Sequence, residues 1–292
     1  MRFFLHSSLM QTLKRQLEMR GVGLHSGREI VARLLPRDQV GIAFRRVDLP
    51  HAPEVEADWR AVSQTVHATT LKGGEAEVST PEHLLAALWM SGVTSCVVEL
   101  DGPEVPILDG SSAPWCELLN GQIATSSTRC PQIPILGLRH AVYFESGNAS
   151  VLALPHHELR VSVAVEFGRD YLSEQLFDAV IDDEVFQREL APARTFALEE
   201  WIAPLRAQGL IRGASLDSAI LLGQDASSSA LRFSTELARH KALDLLGDLR
   251  FQLIKAWNLG FTNVVDADDV KPKLGFDRRI CHLTFGQFAH CF

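Results

Sequence analysis

The sequence has 292 residues, which is long for one compact core and suits two domains of ordinary size. Hydrophobic residues make up 46% and charged residues 22%, a composition typical of a globular protein. The net charge of -8 argues against a nucleic-acid partner, because no basic stripe offsets it. No apolar run approaches the length of a transmembrane segment. The five cysteines are scattered and form no Cys-x-x-Cys pair, which predicts a cytoplasmic protein without a disulfide framework or a thiolate zinc site.

In the first half of the chain, short apolar strands precede and follow a well-marked helix. This helix is predicted from Pro81 to Met90, because Thr80 suits the N-cap, Pro81 the first helical position and Glu82 the first turn. Its neighbours are predicted to be two strands and a Gly-rich turn within residues 13–32, strands at 40–44 and 96–100, a turn at 109–110 and a helix at 113–119.

The second half repeats this mixture of strands and helices. The polar stretch 124–128 is predicted to be a linker between domains 1–125 and 130–292. Beyond it, strands are predicted near residues 133, 141 and 159–167, and helices at 183–190, 199–208 and 235–247. Each half holds strands and about two helices, which favours an α+β fold of two similar domains, each a mainly antiparallel sheet layered on helices, over a doubly wound parallel sheet.

Two short elements contain residue types that bind metals. Glu82 and His83 are adjacent at the start of the first helix, and His240 and Asp244 share one face of a later helix. Two imidazoles and one carboxylate leave a position open on a divalent metal, as in catalytic zinc sites, with Glu82 placed to take a proton from water. Taken singly, each pair is equally typical of ordinary helix electrostatics, and the histidines are too far apart for a His-Glu-x-x-His motif.

Six stretches in a fixed order extend this interpretation. They are residues 21–27 (Gly-Val-Gly-Leu-His-Ser-Gly), 80–88 (Thr-Pro-Glu-His-Leu-Leu-Ala-Ala-Leu), 104–111 (Glu-Val-Pro-Ile-Leu-Asp-Gly-Ser), 193–196 (Ala-Arg-Thr-Phe), 213–220 (Gly-Ala-Ser-Leu-Asp-Ser-Ala-Ile) and 239–248, which begins Arg-His-Lys-Ala-Leu-Asp. Over roughly residues 12–249 the chain resembles the zinc-dependent UDP-3-O-acyl-N-acetylglucosamine deacetylases of lipid A biosynthesis. Several long motifs in one order make this resemblance specific.

The resemblance implies a zinc amidohydrolase with its active site between the two domains. Its substrate would be UDP-3-O-(3-hydroxyacyl)-N-acetylglucosamine, and removal of the acetyl group would be the committed step of lipid A biosynthesis. The family's zinc ligands match His83, His240 and Asp244, and its general base matches Glu82. Zinc suits this donor set, although Fe(II) occupies similar ligands. We expect the protein to act as a monomer.

The resemblance also assigns supporting roles. Thr195 matches a residue that stabilises the tetrahedral oxyanion, although its position is also typical of a helix N-cap. Lys241 matches a residue that supports the substrate, and Asp248 matches a carboxylate that orients a catalytic histidine. His25 and His67 are predicted to be structural. A βαβ insertion for the acyl chain is expected at about residues 159–190, although the apolar spacing there is equally typical of sheet core.

The tail, residues 250–292, departs from the family pattern. The family continues to a Gly-His pair that supplies the general acid, whereas the corresponding stretch 262–270 contains no histidine. His282 and His290 lack the family's sequence context. Three explanations remain: a shift of reading frame, a diverged end in which His282 or another group replaces the acid, or a protein that binds zinc and substrate without turnover. The alternative function is therefore a catalytically impaired zinc- and substrate-binding homologue.

Overall fold

The structure is a computed structural model, and it describes residues 9–129, 141–146, 149–156, 158–172, 174–258 and 280–286. The strands of the first half are β1 (Leu9–Leu13), β2 (Leu17–Val22), β3 (Glu29–Leu35), β4 (Gly41–Arg46), β5 (Glu54–Glu56), β6 (Val62–Gln64), β7 (Thr70–Gly73), β8 (Ala76–Ser79), β9 (Ser95–Leu100) and β10 (Ile123–Arg129). The helices of the first half are α1 (Glu82–Met90) and α2 (Ala113–Leu119), with a 3-10 turn at Trp59–Ala61.

The strands of the second half are β11 (Val142–Ser146), β12 (Ala149–His156), β13 (Arg160–Val165), β14 (Gln175–Val180), β15 (Phe196–Leu198), β16 (Ile220–Leu222) and β17 (Ile280–Gly286). Its helices are α3 (Asp183–Val185), which continues as a π-helical turn over Phe186–Leu190, α4 (Glu199–Ala207) and α5 (Glu236–Asn258). In the part of the chain that the structure describes, no helix is long and apolar enough to cross a membrane.

Two five-stranded sheets share one strand order. The first runs β2-β3-β9-β4-β5 and the second β11-β12-β17-β13-β14, so in each a late strand enters between two hairpins. Strand β9 is antiparallel to β3 and parallel to β4, whereas β17 is parallel to β12 and antiparallel to β13. Relative to the two hairpins on either side of them, β9 and β17 therefore run in opposite directions. All other neighbouring strands in these two sheets are antiparallel, which confirms the predicted α+β class; the domain boundaries stay a prediction.

Strand β3 shows how the sequence forms the first sheet. Ile30, Ala32 and Leu34 alternate along the strand and are at most 1% exposed, so one face of β3 enters the core. On the opposite face Arg33 donates to Glu18 of β2 at 3.0 Å. This period of two explains why the sheet presents apolar side chains to the helices and charged ones to solvent.

Helix α1 belongs to two hydrophobic cores at once. Leu84, Leu85 and Leu88 pack in the core of the first sheet, whereas Ala86 and Met90 pack in the core that α5 shares with the second sheet. All nine residues of α1 except Trp89 are buried. A helix that is apolar on every side lies inside a protein rather than on its surface.

A close backbone approach joins α1 to α5. A Cβ placed on Gly247 of α5 would lie 2.2 Å from the carbonyl oxygen of Glu82. No other residue type fits there without movement of a helix. The start of α1 is thereby brought beside the middle of α5, and these are the two elements on which the candidate metal ligands lie.

The predicted cap of α1 is wrong in detail. The residue before the helix is Pro81, and it makes no side-chain capping bond. Thr80 instead adopts a left-handed backbone conformation with φ of 58°, and its hydroxyl donates to Oε1 of Glu104 at 3.0 Å. A non-glycine residue in this region is strained by about 1–2 kcal/mol, which the surrounding contacts must offset. The hydroxyl of Thr80 therefore stabilises the turn that leads into α1 and does not cap the first backbone N–H groups of the helix.

Two further predictions are corrected by strand pairing. The stretch 124–128, predicted to be a linker, lies within β10 and pairs antiparallel with β1, where Gln11 is opposite Thr125. The stretch 159–190, predicted to be a βαβ insertion, contains the antiparallel pair β13 and β14 followed by the short α3. Val161 and Val163 are 0% exposed in the second core, so the alternating pattern marks ordinary sheet core.

Candidate metal and catalytic site

Three potential metal ligands meet where α1 and α5 touch. His83 lies in the first turn of α1, and His240 and Asp244 lie one turn apart on α5. Nε2 of each histidine is 3.3 Å from Oδ1 of Asp244, and the donor atoms of all three residues lie within 4.8 Å of one another. The two rings meet edge-on with centroids 5.0 Å apart. The structure thus brings together the three ligands predicted from the sequence.

The ring of His240 is oriented as a metal ligand requires. Its Nδ1 is 3.0 Å from the carbonyl oxygen of Ala193, which accepts a hydrogen bond, so the proton belongs on Nδ1 and the lone pair of Nε2 faces Asp244. His240 is 1% exposed, and burial lowers its pKa to about 4. The imidazole is therefore neutral near pH 7. Two imidazole nitrogens and a carboxylate oxygen fit a divalent metal with a position left for a reactant.

Asp244 is held in its charged form by the groups around it. Burial alone would raise its pKa, but the positive charges that His240 and Lys241 carry at low pH outweigh burial and lower it. Nζ of Lys241 lies 3.2 Å from Oδ2 of Asp244 and 5.4 Å from the ring centroid of Phe196. Oδ1 of the aspartate thus faces the two histidines while Oδ2 faces the ammonium group.

Glu82 has one anchored oxygen and one that is open to a reactant. Its Oε1 accepts the backbone N–H of Thr69 at 2.9 Å, whereas Oε2 is buried and has no hydrogen-bond partner among the described residues. Burial and the negative charge of Asp248 raise the pKa of Glu82 well above its ordinary value. A buried carboxyl group with a raised pKa, adjacent to a candidate metal ligand, is a candidate general base.

Asp248 lies one turn beyond Asp244 and contacts Thr69. The hydroxyl of Thr69 donates to Oδ1 of Asp248 at 2.8 Å, and burial raises the pKa of this carboxyl group to about 7. The stretch in which the family resemblance places a histidine partner, residues 262–270, lies outside the described residues, so Thr69 is the partner that the structure shows for Asp248. Thr69 was not predicted from the sequence, where its one signal was its place in the polar run around His67.

Thr195 lies beside the tight turn predicted at Asp109 and Gly110. Gly110 has φ of +83°, and a Cβ on it would lie 2.1 Å from the carbonyl oxygen of Ser218. The carbonyl of Gly110 accepts the N–H of Thr195 at 2.7 Å, and the carbonyl of Thr195 accepts the N–H of Ile220 at 2.9 Å. Strand β15 follows directly, so Thr195 does not cap a helix. Instead it lines the cavity beside the ligands.

A cavity of about 270 Å³ extends from the ligands along the unit β15-α4-β16. Strands β15 and β16 are parallel and α4 connects them, which makes residues 196–222 the βαβ unit beside the site. The position expected for the apolar passage, 159–190, is therefore wrong. The apolar lining is formed by Phe196, Ala197, Trp201, Ile202, Leu205, Ile211, Ala214, Leu216, Ala219, Ile220 and Leu221, with Leu24 and Ile107 from the first half.

The Gly-rich turn at residues 23–28 also reaches the cavity. His25 and His67 both line it, and burial lowers the pKa of His25. Glu104, which is 1% exposed, accepts the backbone N–H groups of His25 at 2.9 Å and Ser26 at 2.8 Å, in addition to the hydroxyl of Thr80. One buried carboxylate thus connects the turn to the start of α1. Its signal in the sequence was its place at the head of the motif 104–111.

A second buried carboxylate supports the other side of the site. Glu236 is 0% exposed, and its Oε1 accepts both the backbone N–H and Nε of Arg194, at 3.1 and 2.9 Å. Arg194 lies between Ala193, whose carbonyl holds His240, and Thr195. This ion pair was not predicted, although the motif 193–196 contains one of its members.

Comparison with known proteins connects this geometry to a family. The chain matches the family described as UDP-3-O-acyl N-acetylglycosamine deacetylase over residues 10–257. The chain belongs to this deacetylase family. The family resemblance predicted from the sequence is thereby confirmed, and the match ends within α5, close to the predicted position near residue 249.

Similar members of the deacetylase family come from several bacteria, and each is named UDP-3-O-acyl-N-acetylglucosamine deacetylase. The Nostoc sp. protein is 41% identical over 245 residues, which cover 82% of this chain and 87% of the relative. The Trichormus variabilis protein is 42% identical over 248 residues, with the same coverages. The Brucella melitensis protein is 38% identical over 248 residues, which cover 83% of this chain and 86% of the relative.

The candidates for the family's general acid lie largely beyond what the structure describes. Residues 262–270 and His290 are outside the described residues. The backbone of His282 lies in β17, where it is opposite Leu152 and Ser162, but its side chain is not described. The titratable groups that do line the cavity are Glu82, Asp244, Lys241, Arg206 and the histidines already named.

Proposed function

We propose that this protein is a zinc-dependent amidohydrolase that removes the acetyl group from UDP-3-O-acyl-N-acetylglucosamine. The observation that carries the proposal is the convergence of His83, His240 and Asp244 in a member of this deacetylase family, with Oε2 of Glu82 buried beside them. The substrate is taken from the names of the relatives. The monomeric state and cytoplasmic location predicted from the sequence form part of the same proposal.

The donor set is suited to zinc. His83, His240 and Asp244 would hold the ion, and the carbonyl of Ala193 would keep His240 in the ligating tautomer. When bound, zinc supplies Lewis-acid activation of the acetamide carbonyl and of water. The neutral form of His240 and the charged form of Asp244 are the forms in which these side chains bind a metal.

The remaining residues move protons and stabilise charge. Oε2 of Glu82 accepts a proton from the attacking water, because Oε1 is already engaged by Thr69. Thr195 donates to the oxygen that becomes negative, and the ammonium group of Lys241 stabilises the same charge. The leaving nitrogen must then gain a proton. Among the described residues that line the cavity, protonated Glu82 and Lys241 both carry one.

The acyl chain is assigned to the apolar wall formed by β15, α4 and β16. Trp201, Ile202 and Leu205 of α4 lie on the cavity side of the helix, and Ile211 and Leu216 continue the wall beyond it. Burial of acyl methylene groups there contributes about 0.8 kcal/mol for each CH₂. This contact would anchor the substrate so that its acetamide reaches the metal ligands.

The test is acetate release from the acylated UDP-sugar by purified protein that holds one zinc ion per chain. The wild type is expected to turn over, and Glu82→Gln is expected to lose at least about 100-fold in kcat because the amide cannot accept the proton. Substrate binding is measured in parallel by calorimetry. Zinc-loaded wild type that binds substrate but releases no acetate would refute hydrolysis and support the catalytically impaired homologue.

A further inference from the structure

We propose that Thr69 is a positioning residue that links the two carboxylates of the site, Glu82 and Asp248. Its backbone N–H donates to Oε1 of Glu82 at 2.9 Å, and its hydroxyl donates to Oδ1 of Asp248 at 2.8 Å. One residue thus fixes a group on α1 and a group on α5. The inference rests on the proposed function for its catalytic consequence, whereas the contacts themselves do not depend on it.

The position of Thr69 follows from a hairpin. Strands β7 and β8 pair antiparallel, with Thr70 opposite Ser79, and the next pair outward is Thr69 and Thr80. The N–H of Thr80 donates to the carbonyl of Thr69 at 3.0 Å, which extends the ladder by one bond. Helix α1 begins two residues after Thr80, at Glu82. The hairpin therefore places the backbone N–H of Thr69 beside the carboxyl group of Glu82.

The two bonds have different chemical consequences. The backbone N–H is present in every variant at this position except proline, so Oε1 of Glu82 stays engaged and Oε2 remains the oxygen available to a reactant. The hydroxyl is specific to threonine or serine, and it is the described group that donates to Asp248. Thr69 is 6% exposed, so bulk water does not readily replace its hydroxyl.

Loss of the hydroxyl would release Asp248 beside Glu82. Glu82 is buried and Asp248 partly buried, and the negative charge of Asp248 raises the pKa of Glu82. Without its donor, Asp248 is expected to rotate, which would displace the carboxyl group of Glu82 across the small gap between α1 and α5. A base must remain within about 0.5 Å of its productive position, so kcat would fall although the substrate still binds.

The experiment compares three single variants by acetate release and zinc content. Thr69→Val keeps the volume and removes the hydroxyl, and it is expected to lower kcat by about 10- to 100-fold, with KM changed less than about threefold and zinc still at one per chain. Thr69→Ser restores the hydroxyl and is expected to retain most of kcat. The matched control is Thr70→Val, because Thr70 is also buried and its hydroxyl pairs with Ser79 at 2.9 Å, away from the carboxylates.

Several outcomes overturn the proposal. Wild-type kcat in Thr69→Val contradicts it, as does an equal loss in Thr70→Val, since the effect would then be general destabilisation. Loss of zinc from Thr69→Val also contradicts it, because the residue would then act on the metal ligands instead.

A second measurement is independent of activity. Thr69→Val, Asp248→Ala and the double variant are unfolded in urea, and a direct contact predicts that the double variant loses less of its midpoint than the two single losses added together. Additive losses would overturn the contact. If the wild type releases no acetate, the proposed function fails, but the urea cycle still decides whether Thr69 links the carboxylates.

Discussion

Substitution of Gly247 by alanine tests whether contact between α1 and α5 sets the geometry of the site. The added Cβ would lie 2.2 Å from the carbonyl oxygen of Glu82, and real Cβ contacts are essentially never below 3.0 Å, so the helices must separate by at least about 0.8 Å. His83 and Glu82 would move with α1, while His240 and Asp244 would stay on α5. A misplacement of about 1 Å costs on the order of 100-fold in rate.

The stability of Gly247→Ala is expected to fall by less than overpacking alone would cost. Alanine favours a helix interior over glycine by roughly 0.5–1 kcal/mol, which opposes an overpacking cost of about 1–3 kcal/mol. We therefore expect a loss of at most about 2.5 kcal/mol in unfolding free energy, together with weaker zinc binding. The assay combines acetate release, zinc content after dialysis and urea unfolding.

Gly74→Ala is the matched control for this prediction. Gly74 lies in the turn between β7 and β8 with φ of +57°, and a Cβ there meets nothing within 4 Å. The strained conformation is expected to cost alanine about 1–2 kcal/mol in stability without any change in kcat. If Gly247→Ala keeps its zinc and stays within about threefold of wild-type kcat, the argument from helix contact is refuted.

Three further outcomes are expected. Removal of the metal with a chelator should abolish activity and lower the urea midpoint, because a ligand present at 100 times its Kd stabilises the folded protein by about 2.7 kcal/mol. If added zinc fails to restore both activity and midpoint, the proposed metal site is contradicted. Leu205→Ala should raise KM by about tenfold for a substrate with a long acyl chain but hardly change it for a substrate without one. Equal effects on both substrates would exclude the apolar wall of β15, α4 and β16 as the acyl site. The hydrogen bond from Arg46 holds the pKa of Asp48 below its usual value in the folded protein. The loss of stability in Asp48→Asn should therefore be full above about pH 4 and should vanish as pH falls through the lower folded pKa. A difference in stability from wild type that does not change with pH would contradict this.

Local signals predicted the elements that position the site, but not how they connect. A helix start and an i,i+4 pair are short-range patterns that drew attention to the candidate ligands and base, whereas their proposed roles depend on the family resemblance. The linker at 124–128 was mispredicted because polar composition does not reveal a partner as distant in sequence as β1. Similarly, the alternating apolar residues of β13 cannot show from sequence whether they face a core or a passage.

The supporting contacts of the site were beyond prediction for a related reason. Thr69 and Asp248 are 179 residues apart in the chain, and the carboxylates of Glu104 and Glu236 act on backbone groups that have no side-chain signature. Such contacts exist only after hairpin, turn and helix have been assembled. The residues proposed to perform chemistry therefore had clearer sequence signals than those that hold them in place.

Because α1 contributes side chains to both cores, unfolding of either half would expose part of the buried surface of this helix to solvent. Loss of the first core removes the surroundings of Leu84, Leu85 and Leu88, and loss of the second removes those of Ala86 and Met90. The two halves are therefore expected to unfold in a single cooperative transition. A half-folded molecule would carry only one face of the metal site, so partial unfolding yields an inactive chain and not a weakened enzyme.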